Sequence, residues 1–377
     1  METAVWILIL FFTLGVSVFC LIAQRVFQSA YLRRVFPGMA AFLFLVPTMV
    51  FTVRLPLNGA VAALHLTVFA LFALLADAVI AAVHKKRKRK NDRDCGDVET
   101  RAARLGRVFS AAAFGCLVYL ALGFWCAKTV LRTEYGFVTS KTVPGGELVI
   151  VQISDVHLGT TADSAAFRRL LLRIESEHAD MIAVTGDFVD ENTKKQEMRK
   201  ACEAFSEITG ETSVYFVAGN HDYPENAEFT AEELYEALTG AGVRVLRDEV
   251  VLADEGYYVV GRKDRTEERA GISELTRELD RSKFIVVLDH QPNDFEKEAK
   301  SGADLVLCGH MHGGYLMPIR MLQGVMTGFF GDADCYAGTR TVGGTSFVVS
   351  TGVGTWGCSI KTGTKSEYVV IKITDAK

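Results

Sequence analysis

The sequence predicts an α/β domain preceded by an all-α bundle of about four transmembrane helices. Three observations carry this. Hydrophobic residues make up 49% of the 377-residue chain, and the excess lies almost wholly before residue 130. From residue 147 onward, short β-rich runs alternate with helical ones, the pattern of a layered α/β domain. Five of those β runs end in Asp, Asn or His, and in such sheets functional groups gather where strands end.

The expected division is a helical membrane region over 1–132 and the α/β domain over 133–377. Apolar runs lie near 4–23, 39–53, 59–83 and 108–127, and about 20 apolar residues suffice to cross a bilayer. Only Met1, Glu2 and Thr3 precede the first run. It lacks the basic segment of a cleaved signal peptide and reads as a retained helix. The second is shorter, carries Pro47 and lies between Arg34 and Arg54. The third has His65 and Asp77 as its ionisable interruptions, and the fourth is uncharged up to Lys128. Asp77 and His65 read as facing the bundle interior rather than marking a transport path.

Orientation follows from the basic residues. Lys85, Lys86, Arg87, Lys88, Arg89 and Lys90 open a loop over 84–107 that also holds Arg93, Arg101, Arg104 and Arg107. Short loops rich in Lys and Arg stay in the cytoplasm, and Arg25, Arg33 and Arg34 in the first loop point the same way. One span separates the basic loop from the α/β domain, which is therefore expected outside the cytoplasm. A formal net charge of −4 excludes a nucleic-acid partner attracted by net charge, and no protein partner is implied. The eight cysteines form no metal-finger spacing. A disulfide between Cys335 and Cys358 is left open by the sequence.

Within the α/β domain, strands are expected over 148–153, 181–185, 214–218, 243–246, 284–288, 305–308, 347–350 and 368–373, with a hairpin over 250–260. Helices are expected over 165–176, 195–208, 231–238, 272–279 and 293–300. The strand ends then fall into a series. Ser154-Asp155-Val156-His157 follows the first, Gly186-Asp187-Phe188-Val189-Asp190 the second and Gly219-Asn220-His221-Asp222 the third. Asp289-His290 follows the strand over 284–288 and Gly309-His310-Met311-His312 the one over 305–308. Any one motif is explained by a helix cap or a satisfied core histidine. Five in one domain are not. Buried together without a cation, their carboxylates would repel and drift upward in pKa. Mixed His, Asp and Asn ligation without thiolates suits a divalent or trivalent Mn, Fe or Zn.

This ordered series resembles the calcineurin-like metallophosphoesterase superfamily, whose parts appear here in order from residue 147. The hydrophobic helices and the Gly-His-Met-His-Gly-Gly segment resemble its membrane-anchored bacterial branch of phosphohydrolases. The resemblance implies a four-layer α-β-β-α sandwich and an integral protein of the bacterial plasma membrane. It implies two metal ions, one held by Asp155, His157 and His312, the other by Asn220, His290 and His310, with Asp187 bridging. Asn220 and His221 would approach the substrate, and Asp190 would orient His221 as the catalytic pair. The implied partner is a phosphate ester, more often a diester, with envelope lipids and nucleotides as sources. Asp222 reads equally as a cap or a direct participant.

Some positions depart from relatives. Tyr315 stands where a Gln is common, Glu191 where the protein-phosphatase branch has Arg, and Ser359-Ile360-Lys361 where an Arg often precedes Pro-Glu. Protein-phosphatase activity is not expected. Arg262, Lys263, Arg265 and Arg269 read either as phosphate contacts or as a charged surface segment, and the Gly-rich stretch 313–344 as a substrate-facing rim. The competing function is a membrane sensor or scaffold with a structural metal site.

Overall fold

A computed structural model of the chain describes residues 56–90, 101–210, 212–223, 228–253, 256–314 and 335–376. The runs near 4–23 and 39–53 lie outside the described residues, as do 91–100 of the basic loop and 315–334 of the Gly-rich stretch.

Helices α1 (Pro56–Lys90) and α2 (Arg101–Lys128) occupy the third and fourth apolar runs. Among the described residues these two are long and apolar enough to cross a membrane, over Leu64–Val83 and Val108–Lys128. Tyr119 packs between His65 and Phe69, its ring 5.6 Å and 5.7 Å from theirs. The outer faces stay apolar, with Phe72 66% and Phe114 68% exposed. In water such faces would demand a partner; in hydrocarbon they do not. Contacts divide the chain between Leu122 and Gly123, earlier than the boundary expected after residue 132. The last turn of α2 therefore belongs with the α/β unit.

That unit contains strands β1 (Val130–Thr139), β2 (Glu147–Ile153), β3 (Met181–Thr185), β4 (Ser213–Val217), β5 (Arg244–Val245) and β6 (Glu249–Ala253). It continues with β7 (Tyr257–Gly261), β8 (Phe284–Leu288), β9 (Leu305–Cys308), β10 (Gly338–Val342), β11 (Thr345–Val349) and β12 (Ser366–Asp375). Helices α3 (Ser164–Glu175), α4 (Lys195–Ala204), α5 (Ala231–Gly240), α6 (Ile272–Leu275) and α7 (Phe295–Lys300) connect them. The sequence did not anticipate β1 or β10. The helix expected over 272–279 stops at Leu275.

The strands form two six-stranded mixed sheets, ordered β1-β12-β2-β3-β4-β5 and β10-β11-β9-β8-β7-β6. β1 lies parallel to β12, which in turn runs antiparallel to β2. Alternating side chains sort into layers because successive residues of a strand face opposite ways. Val151, Ile153, Ile182 and Val184 face Phe167, Leu171, Met198 and Leu234 of α3, α4 and α5. Ile150, Met181 and Ala183 face the second sheet through Val286, Leu305 and Val348. On that sheet's far side Ile285, Val287 and Val306 meet Ile272 and Phe295 of α6 and α7. The result is the expected four-layer α-β-β-α order. β2, β3, β8 and β9 all release their chains on one edge, which is where the ionisable residues collect.

Candidate metal centre

β2, β3 and β9 deliver their candidate ligands through sharp backbone turns. Asp155, His157, Asp187, His310 and His312 all have positive φ, between 43° and 68°. For non-glycine residues this region costs roughly 1–3 kcal/mol each. Among the described non-glycine residues the conformation otherwise occurs at His178 and Asp248, so the strain is concentrated at this edge. Close approach explains Gly309: a β-carbon there would overlap the Ser154 hydroxyl and the Asp155 carboxylate.

Two trios emerge. Asp155, His157 and His312 lie with their ligand atoms within 4.8 Å of one another, and so do Asp187, His290 and His310. Asp187 faces both groups. Its Oδ2 is 3.1 Å from His290 Nε2 and 3.6 Å from His157 Nε2. Its Oδ1 accepts the backbone N–H of His221 at 2.9 Å. The Asp155 carboxylate accepts the backbone N–H of His310 at 2.9 Å, and its Oδ1 is 3.6 Å from His312 Nε2. Six of the seven residues expected as ligands form the two trios, and the seventh, Asn220, lies on the loop that Asp222 ties to that of Asp187. It sits between Gly219 and His221 with its side-chain oxygen buried and unbonded.

The donor set fits cations. His290 Nδ1 lies 2.8 Å from the Thr185 carbonyl, which assigns one proton to Nδ1 and leaves Nε2 as the nitrogen whose lone pair a cation would take. That lone pair faces His310 Nδ1 at 3.3 Å and the Asp187 carboxylate. A ring nitrogen, a second ring nitrogen and a carboxylate oxygen converge there, an arrangement that calls for a positive charge between them. Neither ring nitrogen of His157 has a hydrogen-bond partner although the side chain is fully buried. Buried polar atoms without partners need such an explanation.

The electrostatics agree. Burial, with His290 beside it, pushes the His310 imidazole down to about 4, and burial, with His157 beside it, holds His312 well below the usual histidine range. Both are therefore neutral and able to ligate. Without a cation, burial would raise Asp187, but a protonated His290 overrides it and holds the carboxyl well below its usual value. Against burial, Asp187 in turn raises His290 well above the usual histidine range. A metal ion would take the place of that Nε2 proton. Burial, reinforced by the Asp187 charge, raises Asp155; a nearby cation reverses that.

Several expectations meet different surroundings. Asp190 lies behind His157, with Oδ2 3.5 Å from His157 Nδ1, and accepts from Asn192 N at 2.8 Å and from Thr160. The carboxylate beside His221 is instead Glu191, whose Oε2 is 3.4 Å from His221 Nδ1. Trp356 completes that corner: its ring lies 4.9 Å from that of His221, and its Nε1 donates to Glu191 at 3.1 Å. Glu191 entered the sequence reading only as a departure from relatives, and Trp356 not at all. Arg262 is buried against Asp289 at 2.6 Å and Glu298 at 3.3 Å. Arg269 pairs with Asp289 and Asp294. Neither reaches the trios as a phosphate contact, and Arg262 is no surface residue. No described cysteine is in a disulfide, Cys335 and Cys358 included.

Asp222 is a brace. Its Oδ1 accepts from Phe188 N and Val189 N, and its Oδ2 from Gly219 N, at 2.8–3.0 Å. One carboxylate thus ties the loop of Asp187 to the loop of Asn220. Burial and the neighbouring Asp187 push it up to about 7. Asp222→Ala leaves three buried N–H groups unsatisfied and is expected to cost about 3 kcal/mol or more of stability. Thermal unfolding checks this; an unchanged midpoint would show that the brace is idle.

The profile of calcineurin-like phosphoesterases matches residues 148–314. An uncharacterized metallophosphoesterase of Aquifex aeolicus is 32% identical over 216 residues, 55% of this chain and 78% of that protein. One of Campylobacter jejuni is 26% identical, covering 61% of this chain and 60% of its own. A zebrafish protein described as a transmembrane protein with a metallophosphoesterase domain is 28% identical, over 61% of this chain and 54% of that one. The chain thus spans most of the first relative and little more than half of the other two. With the two trios set on the edge these matches cover, the chain belongs to the calcineurin-like phosphoesterase family.

Proposed function

We propose that the chain is a membrane-anchored phosphohydrolase that cleaves phosphate esters with a pair of metal ions. The observation that carries this is the placement of Asp187 between two ligand trios. In this reading Asp155, His157 and His312 hold one ion, His290, His310 and Asn220 the other, and Asp187 both. The family is dinuclear-metal-dependent; Mn, Fe and Zn all suit these ligands. When bound, such a pair lowers the pKa of a shared water and neutralises phosphoryl oxygens.

The chain's own side chains do the rest. His221, one-quarter exposed, is the imidazole free to meet the ester. Its backbone is pinned to Asp187 and its ring is held between Glu191 and Trp356. Its ring N–H is placed to stabilise or protonate the leaving oxygen. A purely structural metal site would need no such group. Arg262 and Arg269 are engaged by carboxylates, so among the described residues neither arginine adds cationic charge to the trios. That favours a diester, with one negative charge, over a monoester dianion.

The anchoring reading rests on the apolar faces of α1 and α2. The run of Lys and Arg closing α1 and Arg101, Arg104 and Arg107 opening α2 favour a cytoplasmic loop between them, with the α/β unit outside the cytoplasm. Protease digestion of intact cells checks the orientation: a protected α/β unit would overturn it.

The test of activity is hydrolysis of bis-p-nitrophenyl phosphate and p-nitrophenyl phosphate by the full chain in detergent, with chelator and then with added Mn, Fe or Zn. Metal-dependent turnover with the diester preferred is expected; none with any metal would leave the scaffold reading. Two substitutions separate the acidic neighbours. Asp190→Ala is expected to weaken metal retention about 10–100-fold, as for a carboxylate behind a ligating histidine. Glu191→Ala is expected to lower kcat about tenfold or more, with metal content unchanged. Bound metal and kcat measured on both variants decide; the reverse pattern would return the orienting role to Asp190.

A further inference from the structure

The end of the second apolar helix is built into the metal centre's own loops. The last turn of α2 and β1 are separated by Thr129 alone. The backbone N–H of Lys361 donates to the Gly123 carbonyl at 2.9 Å. A β-carbon at Gly123 would sit 2.9 Å from Ile360 and 2.8 Å from Thr362, so the helix lies directly on that segment. The Ser366 hydroxyl donates to the Ala127 carbonyl at 3.0 Å. Lys128 Nζ donates to the Thr161 carbonyl at 2.7 Å.

Both segments that the helix touches lead straight to candidate ligands. Thr161 lies in the turn after His157, where Thr160 N bonds the His157 carbonyl. Lys361 is fully buried, and its Nζ donates to the carbonyls of Thr351 and Gly352 at 2.7 Å and 3.2 Å. Gly352 packs on Asp155, and Gly354 N donates to the Asp155 carbonyl at 2.8 Å. Midway along the same loop, 351–361, Trp356 lies against His221. One loop therefore runs from the end of the span, past the candidate proton donor, to a metal ligand.

The same helical turn also marks the bilayer's edge. Phe124 and Trp125 are half exposed, at 47% and 55%, and Trp concentrates at membrane–water interfaces. The headgroup layer is only about 5–7 Å thick on each side. The segments that lead to Asp155, His157 and Trp356 are thus bonded to the same turn that carries Phe124 and Trp125.

We propose that the substrate is a phosphoester carried by the bilayer that α2 occupies, a lipid headgroup presented to His221 alongside loop 351–361. The proposal rests on the reading of the chain as a membrane-anchored phosphoesterase and adds the source of the ester. A solute would gain nothing from a one-residue connection, whereas a lipid confined to the same leaflet meets the site at high effective concentration.

The test uses the full chain reconstituted in phosphatidylcholine liposomes with added Mn. The probes are phosphatidyl-p-nitrophenol (a diester) and phosphatidic acid (a monoester), placed either in the same liposomes or in separate protein-free ones. Bis-p-nitrophenyl phosphate is the aqueous control. Turnover of a doped lipid in the same liposomes is expected to exceed that in separate ones by about tenfold or more. A Gly-Ser insertion between Lys128 and Thr129 is expected to remove that advantage while sparing the aqueous ester. Turnover of the aqueous ester with neither lipid hydrolysed, or equal rates in the two arrangements, overturns the lipid assignment and leaves the phosphoesterase reading standing. Turnover of nothing overturns both. Should the insertion also abolish aqueous turnover, the ratio for the unaltered chain decides alone.

Discussion

Asp187→Asn is expected to abolish turnover and to strip metal from the protein. Asp187 faces both trios at once, with His290 Nε2 at 3.1 Å and His157 Nε2 at 3.6 Å. An amide has nearly the carboxylate's shape, so the surrounding packing survives, but it removes the one negative charge shared between the two groups. It also offers one oxygen where the carboxylate offers two. The expected loss in kcat/KM is on the order of 10³-fold or more, about 4 kcal/mol of transition-state stabilisation. Metal analysis of the purified variant should show reduced occupancy alongside the lost rate. A variant that retains both ions and most of its rate would rule out the bridging role.

His221→Ala is expected to behave differently. The His221 ring belongs to neither trio; it is held from the side by Glu191 and Trp356. Removing the ring should leave metal content intact and lower kcat by about 10²–10⁴-fold, the range for a positioned general acid. The loss should shrink for esters with good leaving groups, because those need less help from a proton donor. Metal loss equal to that of Asp187→Asn, or a leaving-group dependence that does not change, would contradict the division of labour.

The two variants probe residues that the sequence announced clearly. Asp155, His157, Asp187, His290, His310 and His312 could be read in advance because each closes a short apolar run. A strand end is a local property. Asp190 could not be read the same way. Its partner depends on which histidine the folded loops bring to it, and positive φ at His157 and Asp187 turns those loops so that His157 comes nearer. Arg262 looked like a surface cation because nothing near it in sequence shows that Asp289 and Glu298 close around it.

Element boundaries failed for a related reason. Val130–Thr139 alternates half-buried and exposed positions, a strand pattern, but it follows the apolar helix after a single residue and straddles the boundary expected after 132, so the reading gives it no element. The short β10 is an edge strand with mostly exposed side chains, and so carries little hydrophobic pattern. Lys361 shows the limit most plainly. A lysine in a Gly- and Ser-rich stretch gives no hint that it is fully buried with its ammonium on two carbonyls.

The position of β12 has a consequence for biosynthesis. β1 emerges directly behind the α2 helix, yet its partner in the sheet is β12, which pairs with β1 on one side and β2 on the other. Until Ser366–Asp375 has been made, β1 has no neighbour and β2 has one edge bare. Sheets that depend on such distant pairing close slowly and expose aggregation-prone edges meanwhile. The nascent chain must therefore be kept apart from its neighbours until Ser366–Asp375 is available, and the sheet behind the ligand loops closes only when that strand enters between β1 and β2.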